Sequence, residues 1–233
     1  MFLGIDPLYW MMMLPVLLLS LYASFKVKST FNKFSKYKIS RGLTGAEVAR
    51  RILHSKGLGH IDVVETHGFL SDHYDPIKKV VRLSPEVFNS NSIASVGVAA
   101  HETGHAIQHA NAYRPLMLRN AIAPTASIGS NLSWIIIMVG FVFGMFGLIK
   151  LGIVLFSIVV VFQLITLPVE FNASAKAKEI LQAQGIVSAN ELAGVNSVLS
   201  AAAMTYVAAA ASSIMTLIYF LIRAGFLGGS RDE

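Results

Sequence analysis

Four long runs without a charged residue divide the chain, at positions 7 to 25, 120 to 149, 151 to 169 and 192 to 222. A helix needs about 20 apolar residues to cross roughly 30 Å of hydrocarbon, so each run is long enough for a membrane span. The first has no basic stretch before it and no small-x-small cleavage site after it, and it reads as an uncleaved anchor. The second is too long for one straight span, and Pro124, Gly129 and Ser130 set the start of its membrane part near residue 128. Lys150 is the only charge before the third run, so residues 151 to 168 return across the bilayer as the second half of a tight hairpin ending at Leu167, Pro168 and Val169. A fourth span begins near Val198 and ends near Ile222, and its many alanines favour close helix packing.

Between the spans the periodicity changes. Thr44, with Glu47 three residues on, forms a capping box, and Val48, Ile52 and Leu53 follow at helical spacing until Gly57 stops the helix. Residues 61 to 66 and 78 to 84 are rich in β-branched side chains and are separated by Gly68, Asp72, Asp75 and Pro76, which predicts two antiparallel strands around a loop. Ser92 caps a further helix over residues 93 to about 110. These pieces make an α+β unit of about 90 residues, an ordinary domain size. Residues 171 to 190 predict a second soluble helical piece.

Composition agrees with the spans. Of the 233 residues 54% are hydrophobic and 14% charged, and mean hydropathy is +0.60, too apolar for a water-soluble domain of this size. With no cysteine there is neither a disulfide scaffold nor a thiolate metal site, so any metal must be held by His, Asp or Glu. The net charge of +6 does not point to nucleic acid, because the basic residues cluster beside the spans. Lys26, Lys28, Lys33, Lys36, Lys38 and Arg41 follow the first span with no acidic residue among them, whereas only Asp6 precedes it. Positive-inside bias then puts residues 26 onward in the cytoplasm and the N-terminus outside. Phe31 and Phe34, lying among these lysines, suit either a short interfacial helix on anionic lipid or a solvated basic linker.

The helix after Ser92 carries His101, Glu102, Thr103, Gly104 and His105, the H-E-x-x-H pattern. Two imidazoles one turn apart share a helix face and can grip one zinc ion, with the glutamate beside the open position. The chance expectation at this composition is roughly 0.01 matches, so the motif is not accidental. A third protein ligand is required. Gln108 and Asn111 stand where a metzincin would have its glycine and third histidine, which excludes that class. His109 shares the face of His101, but a continuing helix carries it too far along the axis, so it reads as a supporting or surface histidine. Glu170 is the better candidate, since it emerges on the same membrane face as the motif helix. Glu179 and Glu191 compete downstream, and Glu170 could instead simply favour the positive end of a helix start.

The runs GFLSDHYDP at 68 to 76, VRLSPEVF at 81 to 88, SIASVGVAAHETGHAIQHA at 92 to 110, ITLPVEFNAS at 165 to 174 and AAAMTYVAAA at 201 to 210 resemble the YugP-type neutral zinc metallopeptidases, a family of bacterial integral-membrane proteins. The resemblance spans essentially the whole chain and keeps the order and spacing of all five runs. The family is similar in scheme to the HtpX and CAAX prenyl proteases, which are gluzincins. That resemblance implies Zn2+ held by His101, His105 and Glu170, with Glu102 as catalytic base. Asn172 stands where related sequences often carry aspartate, a departure from the pattern.

The expectation is therefore a mainly α membrane protein with four transmembrane helices and a small α+β zincin-like cytoplasmic domain. It divides into an anchor at 1 to 25, the zinc-binding domain at 26 to 126, a transmembrane hairpin at 127 to 169, a cytoplasmic segment with the third ligand at 170 to 197, a last span at 198 to 222 and a tail at 223 to 233. Its expected place is the inner membrane, with the active site cytoplasmic and both termini outside. Its expected activity is hydrolysis of a peptide or membrane-protein substrate by zinc-activated water, with Glu102 as general base. The strand at 78 to 84 is the candidate cradle for an extended peptide, provided its edge is free. His73, Tyr74 and Tyr206 are candidate oxyanion donors. A transport protein is the weaker alternative because the spans hold no ionisable residue; a zinc-stabilised inactive scaffold is the other.

Overall fold

The computed structural model describes residues 6–68 and 70–226. Positions 1–5, 69 and 227–233, and with them part of the expected anchor and tail, lie outside the described residues. The elements are α1 (Pro7–Phe34), α2 (Gly45–Ser55), β1 (Asp62–Glu65), β2 (His73–Asp75), β3 (Val80–Leu83), α3 (Pro85–Phe88), α4 (Ile93–Ala110), α5 (Arg114–Phe143), α6 (Phe146–Ala183) and α7 (Ala189–Arg223). The fold is mainly helical, and α1, α5, α6 and α7 are long and apolar enough to cross a membrane. The chain forms two compact units: Met1–Tyr22, Leu118–Leu167 and Thr205–Glu233 in one, Ala23–Met117 and Pro168–Met204 in the other.

Three of the sequence expectations for the helices are corrected. Residues 26 to 34 are neither an interfacial helix nor a linker, because α1 runs on through them. Phe31, 3% exposed, joins the core with Phe34 packed against it, while Lys28, Lys33 and Lys36 stay exposed. Pro124 and Pro168 lie inside α5 and α6 and end neither. A proline removes one backbone donor, and a long apolar helix with packed neighbours tolerates that loss. The reversal between α5 and α6 falls at Gly144, whose φ of +66° suits glycine, and not at Lys150, which lies within α6.

In the first unit, Ile137, Ile149, Ile153, Tyr219 and Phe220 form the core. A Cβ on Gly152 would lie 2.4 Å from Ile137 Cγ1, so α5 and α6 pack there through a missing side chain. The Tyr219 hydroxyl donates to Asp6 Oδ2 at 2.8 Å, and Arg223 Nε lies 3.4 Å from the same oxygen. The residue preceding α1 is thereby tied to the end of α7.

The second unit is built around α4. One of its faces, with Val96, Ala100 and Ile107, packs with Val48 and Ile52 of α2, Ala177 and Leu181 of α6, and Val195 and Leu199 of α7. Another, with Ala99 and Ala106, meets Ala49 and Leu53 of α2, Val63 of β1, and Val81 and Leu83 of β3. A helix apolar on most of its circumference belongs inside, and α4 is buried along nearly its whole length. The capping box of α2 forms as expected: the Thr44 hydroxyl accepts from Glu47 N at 3.3 Å, and Glu47 Oε2 accepts from Thr44 N at 2.8 Å.

The sheet departs from expectation. Its order is β1-β3-β2, with β1 parallel to β3 and β2 antiparallel to it. The stretch read as loop contributes β2, which turns into β3 where Asp75 Oδ1 accepts from the N–H groups of Ile77 and Lys78, both at 3.0 Å. That hairpin supplies the antiparallel pair, so β1 arrives parallel. The central strand β3 is paired on both sides and offers no edge for a peptide; the outer edges belong to β1 and β2.

Candidate metal centre

His101 and His105 stand four residues apart on α4 and so share a face, their ring centroids 4.8 Å apart and their planes at 88°. The C-terminal part of α6 brings Glu170 to them. Its Oε2 lies 3.2 Å from His101 Nε2 and 3.4 Å from His105 Nε2, and one ligand atom from each of the three residues falls within 4.8 Å of the others. Glu170 is 2% exposed and His105 8%. Gly104, between the histidines, permits the approach: a Cβ there would sit 2.8 Å from the Ala173 carbonyl oxygen.

The far side of each ring is also held. His101 Nδ1 lies 3.0 Å from Ser174 Oγ, and His105 Nδ1 lies 3.0 Å from Gln108 Oε1. Gln108 Nε2 donates to the Val169 carbonyl and to Asn172 Oδ1, both at 2.9 Å, which fixes the amide so that its oxygen faces the ring. His105 Nδ1 therefore carries the proton of a neutral ring, whose Nε2 lone pair faces Glu170; a second proton or a metal ion on Nε2 makes that contact attractive. Imidazole lone pairs and a carboxylate converging in a buried space repel one another unless a cation lies among them. Two imidazoles and a carboxylate are the protein donor set of a hydrolytic zinc site, so these residues fit the metal.

The electrostatics point the same way. Burial opposes charge on His105, but its hydrogen bond with Glu170, the charges of Glu102 and Glu170, and the Gln108 contact together raise its pKa. Glu170 is the first charged residue after the uncharged run 151 to 169. Burial works against its charge too, yet the two imidazoles hold it well below the ordinary carboxylate range.

Glu102 is 8% exposed and lies near enough to His105 for its charge to act on that ring. Its field also reaches Asp72, in the segment before β2. Burial first, and then the Glu102 charge, push the Asp72 carboxyl up, against the hydrogen bonds it accepts from Ser84 N at 2.7 Å and Ser84 Oγ at 3.1 Å.

The other candidates from the sequence fall elsewhere. His73 is exposed on β2 with Nδ1 2.8 Å from the Ser71 carbonyl oxygen. The Tyr74 hydroxyl and His109 Nδ1 bond to each other at 2.9 Å, outside the three-residue cluster. Tyr206 is half-buried on α7 in the other unit. Glu191 is engaged by Ser40 N and Ser188 N, both at 2.6 Å, and Glu179 is exposed; neither joins the cluster. Sequence reading missed Ser174, Gln108 and Asp72, and left Asn172 without a part. Helical spacing offered a signal for two: Gln108 lies three residues beyond His105, and Ser174 four beyond Glu170.

The family described as "Putative neutral zinc metallopeptidase" matches residues 9–225. The protein described as "Putative membrane protease YugP" from Bacillus subtilis (strain 168) is 52% identical over 215 residues, which cover 92% of this chain and 94% of that protein. No solved structure matches.

Proposed function

The chain belongs to the neutral zinc metallopeptidase family, and from that premise we propose that it is a multi-pass membrane endopeptidase that hydrolyses peptide bonds with Glu102 as general base. The observation that carries this reading is the convergence of His101 Nε2, His105 Nε2 and Glu170 Oε2, with Glu102 next to His101 in the chain and near enough to His105 for its charge to act on that ring. In this reading His101, His105 and Glu170 hold the zinc, which makes the site a gluzincin-type centre. When bound, the metal supplies Lewis-acid polarisation and makes a nucleophile available from water at neutral pH.

The chain's own groups do the rest. Glu102 takes the proton of the attacking water and returns it to the leaving amine, a two-way transfer that a carboxylate can perform and an amide cannot. Ser174 and Gln108 hold the imidazoles with Nε2 toward the metal. The substrate cradle belongs to β2, whose outer edge is unpaired among the described residues and whose Tyr74 is joined to α4 through His109. The site faces the cytoplasm and both termini lie outside. The basic cluster from Lys26 to Arg41 supports this, as does the tie between Asp6 and Tyr219, which joins the start of α1 to the end of α7.

The test compares wild type with Glu102→Gln on casein and on a membrane-protein substrate, with metal content measured in both. We expect stoichiometric zinc in the variant and a loss of about 10²- to 10⁴-fold in rate. Undiminished cleavage removes Glu102 from the mechanism, and a wild type that holds zinc but cleaves nothing leaves the inactive scaffold.

A further inference from the structure

Away from the metal centre, the second unit contains a groove of about 570 Å³ between the C-terminal part of α1 and the N-terminal part of α7. Its walls include Lys26, Thr30 and Lys33 from α1, and Ser197, Ser200 and Met204 from α7. Among the described residues no carboxylate lines it and neither lysine has an ion-pair partner. Lys33 Nζ instead lies 5.3 Å from the ring centroid of Phe34, itself part of the wall. Lys26 and Lys33 are seven residues apart, two turns along one helix face, roughly 10.5 Å between backbones. Side chains of that length can converge on a single anion between them.

The hydroxyls sharpen the chemistry. Ser197 Oγ is spent on the Ala193 carbonyl at 2.9 Å. Among the described residues the hydroxyls of Thr30, 8% exposed, and Ser200 donate to no protein acceptor, so both are free for a ligand oxygen. Position supplies the last constraint. Lys26 is the first charge after the uncharged run 7 to 25, and Ser200 and Met204 stand where α7 enters its own apolar run, so the groove lies at the level where both helices pass from polar to apolar. A cationic, hydroxyl-lined groove at that level, with Met204 and Ala201 on its apolar side, matches a phosphate carrying an acyl-glycerol.

We propose that this groove seats the phosphate of an anionic glycerophospholipid headgroup, one lipid per chain, with Lys26 and Lys33 flanking the phosphate and Thr30 and Ser200 donating to its oxygens. The full-length protein is released from nanodiscs of equal parts phosphatidylglycerol and phosphatidylcholine, and retained lipid is counted by native mass spectrometry. Wild type is expected to keep one phosphatidylglycerol. The Lys26→Gln, Lys33→Gln double variant is expected to bind it about 25-fold more weakly, a factor of about five for each lysine. Lys36→Gln with Lys38→Gln removes the same charge outside the groove and should leave retention within a factor of about three. Thr30→Val with Ser200→Ala keeps the charge and should weaken binding about fivefold, so the assignment remains testable should the lysine variant fail to fold. Equal losses in the two lysine pairs, or no preference of wild type for phosphatidylglycerol, overturn the proposal. Displacement of the lipid by excess inorganic phosphate overturns the lipid assignment in favour of free phosphate.

Discussion

Gly104→Ala is the most direct test of how the helices that carry His101, His105 and Glu170 are held together. The new Cβ would lie 2.8 Å from the Ala173 carbonyl oxygen, 3.2 Å from its Cα and 3.3 Å from its carbonyl carbon. All three are backbone atoms, so no side-chain rotation relieves the contact, and α4 and α6 must part by about half an ångström to reach ordinary separation. Overpacking of this kind costs about 1–3 kcal/mol, against which alanine returns about 1 kcal/mol of helix propensity. Stability should therefore fall only slightly, by about 0–2 kcal/mol. The metal should respond more. Glu170 lies one turn from Ala173 on α6, and a shift of about half an ångström exceeds the roughly 0.2 Å tolerance of a zinc site. Zinc affinity is expected to fall by about 10- to 100-fold, as when ligand orientation is disturbed, and cleavage with it. Chelator competition gives the affinity and thermal unfolding in detergent the stability. Gly147→Ala, where the Cβ meets no atom within 4 Å, is the control and should match or exceed wild-type stability. Wild-type zinc affinity in Gly104→Ala refutes the idea that this close approach sets the distance from Glu170 to the histidines.

Two other substitutions separate ligand from bystander. Glu170→Ala should abolish stoichiometric zinc, while Glu179→Ala, at an exposed position, should retain it at unchanged stability; mass-spectrometric metal content decides, and retained zinc in Glu170→Ala reassigns the third ligand. Orientation is tested with single cysteines at exposed positions: Lys36→Cys and Gln182→Cys should label from one side of intact vesicles and Met145→Cys from the other, and labelling of the first two from opposite sides refutes the cytoplasmic placement.

Much of this site could be read before the fold was known, and the reasons are local. The motif helix has its cap at Ser92, its apolar faces and its paired imidazoles within 20 residues of sequence, so α4 and its chemistry were legible together. Glu170 was legible only as the first carboxylate after a span. What failed was inference from proline: Pro168 does not stop α6, so Glu170 is aimed by an unbroken helix and not by a break. Strand direction failed for another reason. Three-residue β2 is too short to announce itself by alternation, and its presence reverses the geometry of the pair on either side. The bonds from Gln108 to Val169 and Asn172 join residues more than 60 positions apart, a kind of contact that no local pattern encodes.

The brevity of β2 bears on what kind of polypeptide the proposed protease can take. Three residues span roughly 10 Å, and on the outer edge of an antiparallel strand only alternate residues turn both N–H and C=O outward. A docked peptide therefore finds one or two residues' worth of backbone partners, at about 0.5–1.5 kcal/mol per bond. That is too little to unwind a stable helix, whose backbone bonds would all have to be exchanged. Cleavage should accordingly fall in chain already extended, such as termini, loops and misfolded segments near the membrane surface, so that the conformational state of the target, more than its sequence, determines where it is cut.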